Sequence, residues 1–195
     1  MKRIAVFASG NGSNYEAIEK AFENHRYCRV ELLVCDNPKA YVLERAKKYG
    51  RQVFVFNPKD YESKEHYERE ILQQLQLHQI DLVCLAGYMR IVGSTLLDAY
   101  AKRIINIHPS LLPAFKGKNG IKDAFEYGVK VFGVTVHYVS PEVDGGKIIA
   151  QRAIEYHGES LEELEGLIHQ IEHQLYPETI EKLVKEWENE GLNQC

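Results

Sequence analysis

The 195 residues carry 24 Lys and Arg against 28 Asp and Glu, for a formal net charge of −4, and 45% of them are apolar. That balance suits a folded chain with a true core and argues against a general nucleic-acid binder, which would show a dominant basic stretch. No apolar run approaches the ~20 residues of a membrane span, and the opening MKRIAVFASG turns polar too soon for a secretory leader.

A chain of this length buries roughly 70% of the surface it exposes when unfolded, so residues 1–195 are expected to form one domain without covalent staples. The four cysteines, Cys28, Cys35, Cys84 and Cys195, make no C-x-x-C pair. Cys35 and Cys84 sit in apolar runs and read as small core residues of a cytoplasmic protein with free thiols.

Arg3–Ala8 is an apolar run of strand length that ends in Ser-Gly-Asn-Gly-Ser-Asn. A helical pattern covers Asn14–Asn24, followed by a strand at Val30–Cys35, a helix at Val42–Tyr49 and a short strand at Val53–Phe56. A charged helix over Lys64–His78 keeps Ile71, Leu72 and Leu75 on one face, and Leu82–Ala86 and Ile104–His108 read as buried strands. Continuous apolar strands alternating with helices predict a doubly wound, mostly parallel α/β sheet with a Rossmann-like N-terminal half. The rhythm then changes. Val131–Val139 and Lys147–Ile154 are longer strands joined by Ser140–Gly146, which predicts an antiparallel end and hence a mixed sheet. A long helix starts near Ser160, where Ser160 and Glu163 have capping-box spacing and Leu161, Leu164, Ile168, Ile171 and Leu175 form one stripe.

Gly10-Asn11-Gly12-Ser13-Asn14 lies between the first strand and the first helix. Backbone N–H groups and a helix N-terminus at that place suit a phosphate, although the same residues also suit a plain turn with a capping side chain. A dinucleotide fingerprint fails because its third small position is Tyr15, and the P-loop pattern fails because no Gly-Lys-Ser/Thr follows. A single phosphate monoester fits better. Asn106 and His108 alternate at the end of a strand and so share a face. An amide donor beside an imidazole suits a reaction that develops charge on a carbonyl oxygen. Asp144-Gly145-Gly146 alone is a turn signal, and it matters only if the carboxylate meets His108. His169-Gln-Ile-Glu172-His173 matches the inverted zinc-peptidase motif, but polar residues flanking an apolar helical stripe explain it more simply.

Together SGNGSN, Leu85–Arg90 (LAGYMR), NIHPSLLP, and GVTVHYV followed by VDGG resemble, in order and over almost the whole chain, the glycinamide ribonucleotide formyltransferases of purine synthesis, a branch of the folate-dependent formyltransferases. The resemblance implies a catalytic trio of Asn106, His108 and Asp144, with ribonucleotide contacts from Gly12, Ser13, Asn14 and Glu172. It implies a folate pocket lined by Met89, Arg90, Ile91 and Val92, with Lys64 and Asn106 contributing. The family often has Arg at position 64 and Pro at position 116, where this chain has Lys64 and Lys116. The resemblance also implies a cis Leu112–Pro113 bond.

The implied chemistry is attack of the ribonucleotide amine on the formyl carbon of 10-formyltetrahydrofolate. Asn106 and a protonated His108 donate to the oxyanion, and Asp144 holds His108 by opposite charge. Both partners are small molecules, with no nucleic acid, membrane or metal required; monomer and dimer stay equally open. The alternatives are another folate-dependent formyltransferase, acting on methionyl-tRNA or a sugar nucleotide, a folate deformylase, or a non-catalytic nucleotide-binding module. The last would explain the glycine loop but not Asn106, His108 and Asp144 together.

Overall fold

The structure is a computed structural model and describes residues 1–192, so Cys195 lies outside the described residues. Seven strands form one sheet: β1 (Lys2–Ala8), β2 (Cys28–Cys35), β3 (Gln52–Val55), β4 (Leu82–Leu85), β5 (Ile104–His108), β6 (Val131–Tyr138) and β7 (Ile148–Glu155), in the spatial order β3-β2-β1-β4-β5-β6-β7. The first five strands run parallel. β6 pairs with β5, and β7 with β6, in antiparallel fashion. The mixed sheet expected from the change in rhythm is therefore present.

Alternation along β1 divides the core. Ile4, Val6 and Ala8 face one apolar cluster, while Ala5 and Phe7 face the other. The first cluster is covered by α1 (Ser13–Phe22), α2 (Val42–Lys48), α5 (Gly120–Tyr127) and α6 (Leu161–Leu192); the second by α3 (Lys64–Leu77) and α4 (Ser94–Ala99). A strand buried on both faces reads as an unbroken apolar run, which is why β1 and β4 stand out in the sequence, and the Leu32–Cys35 half of β2 with them. Ile71 and Leu75 are fully buried on α3, and truncating either to Ala would cost about 2–5 kcal/mol.

α6 starts as its sequence suggests, but only half of the capping box forms. Ser160 Oγ accepts the Glu163 N–H at 3.2 Å, while the Glu163 carboxylate accepts from Tyr156 Oη at 2.7 Å and not from the Ser160 N–H. The helix runs through Pro177 because Tyr176, Ile180 and Val184 continue the buried stripe, and their burial outweighs the helix hydrogen bond that Pro removes. Tyr176 is wholly buried, and its hydroxyl lies 2.9 Å from the Leu85 carbonyl and 3.2 Å from that of Ile105. It thus ties α6 to the carboxyl ends of β4 and β5.

The strand order reverses between β1 and β4. The chain leaving β1 turns toward β2, and the chain leaving β4 turns toward β5. A crevice opens at such a point beyond the carboxyl ends of the strands, and it fixes where the site must lie.

Candidate active site

A cleft of about 600 Å³ occupies this switch point. Three loops wall it: Gly10–Asn14 after β1, residues 86–92 after β4, and residues 139–144 between β6 and β7. Asn106 and His108 lie along its floor, and His169 and Glu172 of α6 line it too. Of the residues singled out from sequence, Gly12, Ser13, Asn14, Met89, Arg90, Ile91, Val92, Asn106, His108, Asp144 and Glu172 all meet here. Lys64 does not line the cleft. Its ammonium lies 4.0 Å from the carboxylate of buried Glu68, one helical turn along α3.

At the β1 end, Gly12 takes a left-handed conformation (φ 78°) and caps α1 without any side-chain hydrogen bond. The alternative of Ser13 or Asn14 acting as a plain capping side chain is therefore not what forms. The first turn of α1 keeps its N–H groups clear of a capping side chain at the edge of the cleft, where an anion can take them. A Cβ at Gly12 would run into the Val42 side chain, so glycine is required by both conformation and space. Arg45 on α2, which no sequence pattern singles out, braces this loop. Its Nε donates to the Asn11 carbonyl and its Nη2 to Asn11 Oδ1, both at 2.9 Å, and it also pairs with Glu16. Tyr15 is fully buried, as the failed dinucleotide fingerprint requires.

At the β5 end, strand register assembles the polar groups. Asn106 stands opposite His137, and His108 opposite Thr135, so the four share one face. Asn106 Nδ2 lies 3.2 Å from His137 Nε2, and His137 Nδ1 lies 2.9 Å from the Tyr138 carbonyl. A carbonyl can only accept, so His137 carries its proton on Nδ1 and its Nε2 accepts from the Asn106 amide. Burial lowers the His137 pKa, which keeps the ring neutral and in that role. Sequence reasoning passed over His137, yet the polar alternation of Thr135 and His137 among the valines of β6 was the available signal.

Asp144 reaches the same cluster from the loop after β6. Its Oδ2 accepts the Gly117 N–H at 2.8 Å and lies 3.6 Å from His108 Nδ1, and its Oδ1 is 3.8 Å from His137 Nε2. Asp144 is in the left-handed region at φ 50°, and a Cβ at Gly146 would overlap the Tyr138 carbonyl. This turn, with its left-handed Asp144 and a glycine where the chain passes close to Tyr138, brings the carboxylate to His108. His108 is buried, and its Nε2 donates to the Phe115 carbonyl at 2.9 Å. The segment Ala114–Gly120 thus enters the site through backbone groups of Phe115 and Gly117. The preceding Leu112–Pro113 bond is cis, as the resemblance implies. Thr135 Oγ1 and Gln151 Nε2 hold that exit loop, bonding to the Ser110 carbonyl at 2.7 Å and the Leu112 carbonyl at 2.9 Å.

On α6, His169 Nδ1 donates to the Glu172 carboxylate at 2.6 Å, and this hydrogen bond raises the His169 pKa. Two members of the zinc-peptidase spelling therefore serve one another, and Glu172 is buried beside the glycine loop's cleft.

A loop that suits a phosphate and a carboxylate-held imidazole beside an amide donor, facing one cleft, define a class of group-transferring enzyme. The formyl transferase family matches residues 2–180, and the chain belongs to it. More narrowly, it is 52% identical to the phosphoribosylglycinamide formyltransferase of Bacillus subtilis over 99% of this chain and 97% of that one. Among solved structures, glycinamide ribonucleotide transformylase 1 from Geobacillus kaustophilus is similar with a TM-score of 0.91 and 54% identity, covering 94% of this chain and 99% of that one. The trifunctional purine biosynthetic protein adenosine-3 of Drosophila melanogaster is 37% identical across 94% of this chain, which spans 14% of that longer protein.

Proposed function

We propose that this chain transfers the formyl group of 10-formyltetrahydrofolate to the amine of glycinamide ribonucleotide, giving formylglycinamide ribonucleotide and tetrahydrofolate in purine biosynthesis. The observation that carries this reading is the convergence of Asn106, His108 and Asp144 on the cleft that the Gly12–Asn14 loop also lines. The relatives' names supply the substrate, and the residues lining the cleft support a role in each part of the reaction.

The ribonucleotide phosphate sits on the Gly12–Asn14 backbone, and Glu172 accepts from the ribose hydroxyls. The folate lies along Met89–Val92. The substrate nitrogen attacks the formyl carbon, and the carbonyl oxygen becomes an oxyanion. Asn106 Nδ2 has two protons: one is bound by His137, and the other is free to donate to that oxyanion. His108 donates as well, exchanging the Phe115 carbonyl for the substrate oxygen while Asp144 stabilises its charge. The tetrahedral intermediate collapses as the C–N bond to folate N10 breaks. The proton lost by the attacking amine is delivered to N10, through water. No covalent enzyme intermediate is needed. The buried free thiols of Cys28, Cys35 and Cys84 support a cytoplasmic setting and stay outside the chemistry.

The test is formyl transfer followed by absorbance, with and without glycinamide ribonucleotide. Transfer that depends on the ribonucleotide is expected; folate turnover at the same rate without it would overturn the assignment.

A further inference from the structure

Residues 87–92 line the cleft, in an irregular stretch that runs from Gly87 (φ 73°) to Gly93 between β4 and α4. Met89 and Ile91 are each 60% exposed, so their side chains do not hold the segment down. Three polar anchors do so from behind. Ser9 Oγ accepts the Met89 N–H at 2.8 Å, Asp36 Oδ2 accepts from Arg90 Nε at 2.8 Å, and Glu68 Oε1 accepts the Gly93 N–H at 2.7 Å. Asp36 follows β2 and Glu68 lies on α3, and the two carboxylates are 3% and 4% exposed.

Buried carboxylates are an expensive way to fasten a loop. Asp36 Oδ1 has no hydrogen-bond partner among the described residues, so part of that cost is not recovered. Apolar anchors could fasten the loop more cheaply, but they would not fix the direction of each peptide unit as a hydrogen bond does. Gly93 is matched to its anchor, because a Cβ there would lie 2.7 Å from Glu68 Oε2 and 3.0 Å from Lys64 Cε. The Asp36 contact also commits the Arg90 guanidinium. The contact is made through Nε, and it ties the Arg90 side chain to the end of β2.

We infer that Asp36 and Glu68 are positioning residues for the formyl carrier: they set the backbone of residues 88–93 in the register that receives it, with Asp36 acting through Arg90. Neither carboxylate is in the cleft lining, so neither touches the reacting atoms. The inference rests on the function proposed above.

The test uses the full chain and steady-state kinetics with both substrates varied. Asp36→Asn and Arg90→Met should each raise the KM for the formyl-folate about ten-fold, the scale of one charge-assisted hydrogen bond. The KM for the ribonucleotide and kcat should stay within about two-fold of the parent's values. The double variant should be no worse than the worse single one. At the second anchor Glu68→Leu should raise the same KM, and Glu68→Gln, which keeps the acceptor for Gly93, should restore it. If Asp36→Asn does not fold, Arg90→Met carries the test, since nearly half of the Arg90 side chain is already exposed. Additive losses at Asp36 and Arg90, tighter folate binding in Asp36→Asn, or equal rises in both KM values would overturn the inference. A parent that transfers formyl while its variants keep the parent's folate KM sinks only this inference. A parent that transfers none sinks the functional reading first.

Discussion

The two ends of the cleft are built on different principles. At the β1 end five consecutive residues, Gly10–Asn14, wall the cleft around one left-handed glycine, and the proposed contacts are backbone N–H groups of Gly12–Asn14. At the β5 end they are side chains: Asn106 and His108 from one strand, His137 from its antiparallel neighbour, and Asp144 from the loop beyond. A backbone site binds an unchanging charge and tolerates variation in its side chains. A side-chain site can move protons, but it exists only once strand pairing has set its register. The proposed function divides binding and chemistry between the two, so substitutions should separate KM from kcat by location.

The largest effect is expected at the β5 end. His108→Ala should lower kcat about 10²–10³-fold, the usual scale for losing one oxyanion donor, with a much smaller change in either KM. Asp144→Asn combined with it should add little, because the carboxylate works through the imidazole. Independent, multiplying losses in steady-state rates would dissolve the unit.

At the β1 end Gly12→Ala should act on binding. The added Cβ meets Val42, and the left-handed backbone costs about 1–3 kcal/mol. The KM for the ribonucleotide should rise about ten-fold or more while the folate KM moves little. Equal rises would make the loop a structural turn and erase the contrast between the two ends.

A smaller effect should follow at His137. His137→Phe removes the acceptor that orients Asn106, so kcat should fall about ten-fold with both KM values preserved. A parent-like kcat would mean that Asn106 is oriented without it.

The smallest effect is a pH dependence on α6. Glu172 raises the His169 pKa by hydrogen bonding, so the charged pair stabilises the fold fully below the ordinary imidazole range and is lost as pH rises through the raised value. His169 is half exposed, so the stability change should be slight. An NMR titration should find its pKa back toward the ordinary range in Glu172→Gln; an unmoved titration would mean that the pair does not form.

Much of this was legible in the chain itself. β5 begins and ends at the predicted residues, and β1, β2 and β4 start or stop within two of theirs, because strands covered on both faces carry an unbroken apolar signal. α4 and α5 escaped notice: six and eight residues are too few to establish a helical period, and α5 opens on a glycine. The glycine loop was readable because its parts are adjacent. Asn106 and His108 were readable as an alternating pair, whereas Asp144 gained meaning only through the resemblance. Arg45, His137 and the Phe115 carbonyl depend on pairings between distant segments that no local pattern encodes. The partnership of Asp36 with Arg90 likewise became visible only when β2 and the loop after β4 came together.

The most direct test follows the formyl carbon. The enzyme would be given 10-formyltetrahydrofolate labelled at that carbon together with glycinamide ribonucleotide, and the products identified by mass spectrometry. The account predicts that the label leaves the folate and appears, one formyl group per molecule, on the ribonucleotide amine. Label released as free formate in the presence of the ribonucleotide, or retained on the folate, would contradict it.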